Sequence, residues 1–215
     1  THAIGFFRTY RSCLEQAGFD GLLIRAFEEI QWMREEQISF SASFDASVYA
    51  WNHGAVHTLK EEQAAFITAP WELNSRELEP VFEACRREGL PAELIVYGRA
   101  PMMVSAQCIT KTVKGCSKCP SLLWMKDRTG ARLPVQNHCA FCYNTILNPL
   151  PVSLHGCADS VKRLAPEGLR LCFTIETGEE TKAVLNAFAA EFIRGENAEP
   201  PFTEFTRGHF RRGVE

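Results

Sequence analysis

The 215-residue sequence has no apolar run approaching the roughly 18 positions that a membrane-spanning helix requires. It also has no segment with the basic start and apolar core of a signal peptide, so neither a bilayer anchor nor secretion is expected. A surplus of one charge is missing as well. With 23 Lys and Arg against 26 Asp and Glu the net charge is −3, which gives no overall attraction to nucleic acid. No Gly-x-Gly-x-x-Gly or Walker-type loop follows an apolar run, which removes the common nucleotide-binding fingerprints. No Ser-His-Asp order, His-Glu-x-x-His or Gly-x-Ser-x-Gly marks a hydrolase. A composition of 46% hydrophobic and 23% charged residues excludes a disordered or fibrous chain.

What the sequence does have is cysteine. Seven of its nine cysteines fall between positions 108 and 172, and only Cys13 and Cys85 lie elsewhere. An odd total without a secretory signal argues against a disulfide framework and predicts a reduced, cytoplasmic protein whose clustered thiols bind a metal. For Cys13, Cys85, Cys157 and Cys172, which sit in helical or strand patterns, core packing is expected.

Around that cluster runs a βα rhythm. The pattern predicts helices over 5–19, 26–37 and 46–62, each followed by a short apolar strand, at 22–25, 38–44 and 64–68. Asn74 and Glu77 form a capping box for the next helix, with Leu78, Val81, Phe82 and Cys85 on one buried face and Gly89 as its stop. A strand at 92–98 follows. After the cysteine-rich stretch come a strand at 169–176 and a helix opened by Thr177 and Glu180, with Val184, Leu185, Phe188, Phe192 and Ile193 as its expected buried stripe. Alternating strands and helices imply a parallel sheet with right-handed crossovers, so the fold class is α/β. About five such strands make either an open doubly wound sheet or half of an eight-stranded barrel. The start at Thr1 rather than at a methionine favours the half-barrel, as part of a longer protein. The expected organisation is βα repeats over 1–107, a cysteine-rich insert over 108–168, the last barrel strand and helix over 169–195, and a tail over 196–215.

Within the insert, Cys116-Ser-Lys-Cys119 and Cys139-Ala-Phe-Cys142 are two C-x2-C pairs at the spacing of a tetrahedral thiolate site. Residues 122–126 and 131–135 flank Asp127-Arg128-Thr129-Gly130 as a hairpin that would join them. Four thiolates suit zinc, as a ribbon, or an iron-sulfur cluster, and spacing does not separate the two. Cys108, at the end of a strand, is a fifth candidate.

The run Val96-Tyr97-Gly98-Arg99-Ala100-Pro101-Met102-Met103-Val104-Ser105-Ala106-Gln107-Cys108, then Cys116, then Cys139-Ala140-Phe141-Cys142-Tyr143-Asn144, resembles peptidase family U-32, the collagenase-like proteins. The resemblance extends to residues 71–78 and to the closing 206–214. It implies a TIM-like barrel carrying a cysteine-rich insert, of which this chain is the C-terminal half, and a 4Fe-4S cluster. It also implies, beside the collagenase-like peptidase activity of the family label, the oxygen-independent hydroxylation of an RNA base or another aromatic ring in which several relatives take part. By position, the resemblance selects Cys108, Cys116, Cys139 and Cys142 as ligands and makes Cys119 a neighbour. Some relatives take a ligand where this chain has Pro101. A free half-barrel exposes two sheet edges, so the missing N-terminal half or a partner chain is expected to cover them.

Other candidates sit at the predicted C-terminal ends of strands, where barrels gather function: Arg25, Asp45, Glu72, Asn74, Tyr97, Arg99 and Glu176. Glu72 and Arg99, each directly after an apolar run, are the preferred substrate-binding pair, with a helix cap or solvated loop as the plain reading of every one. The adjacent His138 and Cys139 are a weak nucleophilic pair. The tail, with Arg207, His209, Arg211 and Arg212 around Phe205 and Phe210, is a candidate contact for RNA. A non-enzymatic zinc-ribbon module is the remaining alternative.

Overall fold

The computed structural model describes residues 2–116, 118 and 121–213; Cys119 lies outside the described residues. The chain runs through α1 (His2–Thr9), α2 (Arg11–Gln16), β1 (Gly21–Ile24), α3 (Phe27–Glu35), β2 (Ser41–Phe44), a 3-10 turn (Ala46–Val48), α4 (His53–Glu61), β3 (Ile67–Thr68), α5 (Ser75–Glu88) and β4 (Ala92–Gly98). It continues through β5 (Pro101–Ser105), α6 (Ile109–Lys114), β6 (Leu122–Lys126), β7 (Arg132–His138), β8 (Tyr143–Leu147), β9 (Val152–Ser153), α7 (Ala158–Leu164), β10 (Gly168–Cys172) and α8 (Gly178–Phe188), which ends in a π-helical turn (Ala189–Arg194).

Five parallel strands in the order β1-β2-β3-β4-β10 form the open half-barrel sheet that the βα rhythm predicts, and β9 joins the end of β4 antiparallel. A second, antiparallel sheet has the order β5-β8-β7-β6. By contacts the chain falls into two compact units. One holds the residues up to Ile95, Cys157–Arg170 and the stretch from Gly208 on; the other holds Val96–Gly156 and Leu171–Arg207.

In the first unit, the register aligns Ile24, Phe44, Ile67 and Ala92 across four strands, and all four are buried. Because side chains alternate along a strand, the next positions, Arg25, Asp45, Thr68 and Glu93, emerge on the opposite face. That row is polar and internally paired. Arg170 Nη1 lies 2.9 Å from Asp45 Oδ1, 3.2 Å from Thr68 Oγ1 and 3.3 Å from Glu93 Oε1. Thr68 Oγ1 donates to Glu93 at 2.6 Å, and Arg25 Nε stands 3.0 Å from Asp45.

The expected capping box of α5 is present, with Asn74 accepting from the Arg76 and Glu77 amides at 2.9 and 3.1 Å. Leu78, Val81, Phe82 and Cys85 are buried, and Gly89 ends the helix in the left-handed region at φ 59°. Burial pushes the Cys85 thiol up to about 11. The stretch around Phe210 packs beside the start of α5: Phe210 is buried and its carbonyl accepts the Ser75 amide at 2.8 Å. Gly213, at φ 76°, stands where a Cβ would come within 2.9 Å of Asn74 Nδ2, so only glycine fits.

Four expectations need correction. The helix over 5–19 is two helices, broken at Tyr10, with the Thr9 hydroxyl donating back to the Gly5 carbonyl at 2.9 Å. The helix over 46–62 is a 3-10 turn and then α4, because Tyr49 takes φ 58° and Asn52 begins a new helix by accepting from the Ala55 amide. In the last helix Val184 and Phe188 are buried, but Leu185, one position and about 100° round the helix from Val184, is 45% exposed, and Ile193, in the π-helical turn that shifts the stripe out of phase, is 82% exposed. Cys13 is exposed rather than packed.

Candidate metal centre

The hairpin expected between the cysteine pairs is observed: β6 and β7 pair from Leu122↔Gln136 to Lys126↔Arg132. Asp127 shapes its turn by accepting from the Thr129 and Ala131 amides at 2.8 and 2.9 Å, which holds its carboxyl below the usual range, the Thr129 hydroxyl contributing most. Two strands that the sequence pattern did not reveal, β5 and β8, extend this hairpin into the four-stranded sheet. Val135 and Ile146 face each other across β7 and β8 and form its buried row.

All four selected cysteines sit at or near the ends of these elements. Cys108 precedes α6, where its Sγ accepts from the Lys111 amide at 3.4 Å. Cys116 follows α6 and is exposed. Cys139 and Cys142 lie in the turn from β7 to β8, where Cys142 takes φ 55° and its Sγ stands 3.9 Å from the Cys139 carbonyl. One residue links two of them. The Asn137 amide, on a residue only 5% exposed, donates from Nδ2 to Cys108 Sγ at 3.7 Å and accepts at Oδ1 from Cys139 Sγ at 3.2 Å. Across the strand pair, Asn144 is fully buried and donates to the Gln107 carbonyl at 2.7 Å, which ties down the loop before Cys108.

Among the described residues, no three His, Cys, Asp or Glu side chains are gathered closely enough to hold a metal ion. The donor set nonetheless fits a thiolate-bound iron-sulfur cluster or zinc. Every described cysteine is a free thiol, two of the sulfurs meet one amide, and Cys108 Sγ already receives two N–H donors, the usual outer-shell support of a thiolate ligand.

The other candidates are placed as follows. Glu72, in the first unit, has a buried Oε2 without a hydrogen-bond partner among the described residues. Arg99, in the second unit, donates to the Asn148 carbonyl at 3.2 Å and to the Pro149 carbonyl, and its Nε lies 3.7 Å from Glu176. Glu176 also accepts from Tyr97 Oη at 2.9 Å and from the Thr174 and Ile175 amides. Burial first, and the Glu176 charge second, push the Tyr97 hydroxyl well above its ordinary range. Asn74 is the helix cap. The His138 ring stacks on Tyr143 with centroids 4.4 Å apart and bonds the Thr145 hydroxyl at 3.2 Å. In the tail, Arg207 is engaged by the Ser153 and His155 carbonyls and lies over Phe205, whereas Arg211 and Arg212 are exposed.

Sequence reasoning passed over two features. Asn137 carries no motif. The second is local charge: between positions 94 and 158 stand Arg99, Lys111, Lys114, Lys118, Lys126, Arg128 and Arg132 against a single acid, Asp127. A windowed charge count finds this where the net value of −3 hides it. All but Arg99 are exposed, and Arg132 lies 5.0 Å over the half-exposed Trp124 ring.

The family model of peptidase family U32 matches residues 3–149. No curated protein and no solved structure matches the chain.

Proposed function

The chain belongs to peptidase family U32, and from that premise we propose that it is an iron-sulfur protein of the cytoplasm acting in the oxygen-independent hydroxylation of an RNA base. The observation that carries the reading is the meeting of Cys108 Sγ and Cys139 Sγ on one buried amide, with Cys142 in the same turn as Cys139. Cys108, Cys116, Cys139 and Cys142 would hold a 4Fe-4S cluster, which supplies one-electron transfer at thiolate ligands.

The chain's own residues supply the rest. The exposed lysines and arginines of 111–132 attract a polyanion, and the exposed rings of Trp124 and Phe141 offer stacking faces for unpaired bases. That surface favours RNA over an uncharged aromatic ring. In the Tyr97, Arg99 and Glu176 group, Glu176 binds the Tyr97 hydroxyl and the Thr174 and Ile175 amides and so holds the loop after β10, whereas the buried Arg99 Nε has no hydrogen-bond partner among the described residues. In the first unit the Asp45, Glu93 and Arg170 row gives the open sheet a polar face, and further strands, from the same protein or a partner, would extend that sheet. Among the described residues, no helix is long and apolar enough to cross a membrane.

Nucleoside mass spectrometry on RNA from cells with and without the protein tests the reading. The expected result is a nucleoside one oxygen heavier that disappears with the protein and returns with the wild-type chain but not with Cys139→Ser. Unchanged RNA, together with gelatin digestion by the purified protein, would overturn it in favour of peptidase activity.

A further inference from the structure

Cysteine ligands on separate segments bind a common metal more tightly when those segments are already held together before the metal arrives, because less ordering is left for the metal to drive. Here the two segments are the loop before α6, with Cys108, and the turn after β7, with Cys139, and they lie 31 positions apart in sequence. Their side chains meet on Asn137, which satisfies four groups at once. Nδ2 serves Cys108 Sγ at 3.7 Å and Thr110 Oγ1 at 3.1 Å, Oδ1 serves Cys139 Sγ at 3.2 Å, and the backbone amide donates to the Ser121 carbonyl at 3.1 Å. A residue 5% exposed that spends its amide on two sulfurs and a helix-start hydroxyl has no packing duty that a leucine or valine would not perform better. Its polarity is explained by what it holds.

We propose that Asn137 is the positioning residue of the metal centre: its side-chain amide holds the Cys108 and Cys139 thiols on one residue in the metal-free chain, where Oδ1 accepts the Cys139 S–H, and Nδ2 goes on donating to Cys108 Sγ once both thiols have given up their protons to a metal or cluster. This rests on the reading that these cysteines bind metal. Thr110 is the second member of the device, because it takes the other Nδ2 hydrogen and so orients the amide toward Cys108. The role is independent of whether the centre is iron-sulfur or zinc.

The test is the rate at which anaerobically purified full-length chain releases iron, or zinc if that is the metal found, to an excess of chelator. The thiolate-to-metal absorbance and the thermal midpoint of the metal-free chain are followed in parallel. Asn137→Ala and Asn137→Asp are expected to hold the metal roughly 10- to 100-fold less tightly, the usual cost of removing an outer-shell partner of a metal ligand. Thr110→Val, which keeps the size and removes the hydroxyl, is expected to lose metal faster in the same direction but by less, with an unchanged metal-free midpoint. Should the Asn137 variants fail to fold, Thr110→Val decides. Release at the wild-type rate from a metal-loaded variant would overturn the positioning role and leave the metal centre standing, whereas wild-type chain that holds neither iron nor zinc overturns both.

Discussion

The parallel sheet of the first unit and the antiparallel sheet that carries the cysteines are stabilised in different ways. In the first, one register row is buried to a few per cent exposure and the next is a closed set of ion pairs and hydrogen bonds. In the second, the edge strands are open: Met102, Met103 and Val104 are each more than half exposed, and Leu122, Trp124 and Met125 are 40–47% exposed. Its buried row is short, and its cysteine-bearing end is held by the polar ties of Asn137 and Asn144 rather than by apolar packing. A region fixed by packing depends on volume, and a region fixed by polar ties around thiols depends on what those thiols bind.

The comparison breaks most sharply at the cysteines. Cys108→Ser or Cys139→Ser is expected to abolish metal retention and to raise amide hydrogen exchange through β6–β8 while leaving β1–β3 protected, as read by exchange mass spectrometry. Equal exchange in both sheets would remove the distinction. In the packed region, Phe82→Ala opens a cavity under α5 and is expected to cost roughly 3–5 kcal/mol in chemical denaturation, with metal content unchanged. Asn74→Ala removes a helix cap and is expected to cost about 1 kcal/mol. Trp124→Ala, on the open sheet, should change stability by no more than about 0.5 kcal/mol and weaken binding of single-stranded RNA by roughly 1–3 kcal/mol.

A pH effect follows from Cys85. Its thiol is raised to about 11 by burial, so the protonated form favours the folded state; that contribution is complete at neutral pH and is lost as pH rises through the ordinary thiol range toward 11. Native chain at mildly alkaline pH should therefore be labelled by a thiol reagent at Cys13 and not at Cys85, as peptide mapping would report.

The parts legible in the sequence were those with a local physical cause. The capping boxes at Asn74 and Thr177, the left-handed stop at Gly89 and the Asp127–Gly130 turn are short-range chemistry, and the structure has all of them. The alternation that signals parallel strands also came through, because both faces of those strands are spoken for. β5 was hidden because its pairing with β8 joins segments some forty positions apart, and exposed Met-Met-Val has no burial pattern to read. Cys13 and Ile193 show the converse: an apolar period in a helix does not bury a residue when the helix breaks or changes pitch beside it. Asn137 was invisible for a further reason, since a single buried amide has meaning only once its two sulfur neighbours are known.

Iron, labile sulfide and zinc analysis of the anaerobically purified wild-type chain tests the central claim most directly, set beside the same analysis of Cys119→Ser. The account predicts a brown protein with about four irons and four sulfides per chain, unchanged in Cys119→Ser. One zinc per chain without visible absorbance, lost in Cys119→Ser, would contradict it and make the two C-x2-C pairs a zinc ribbon.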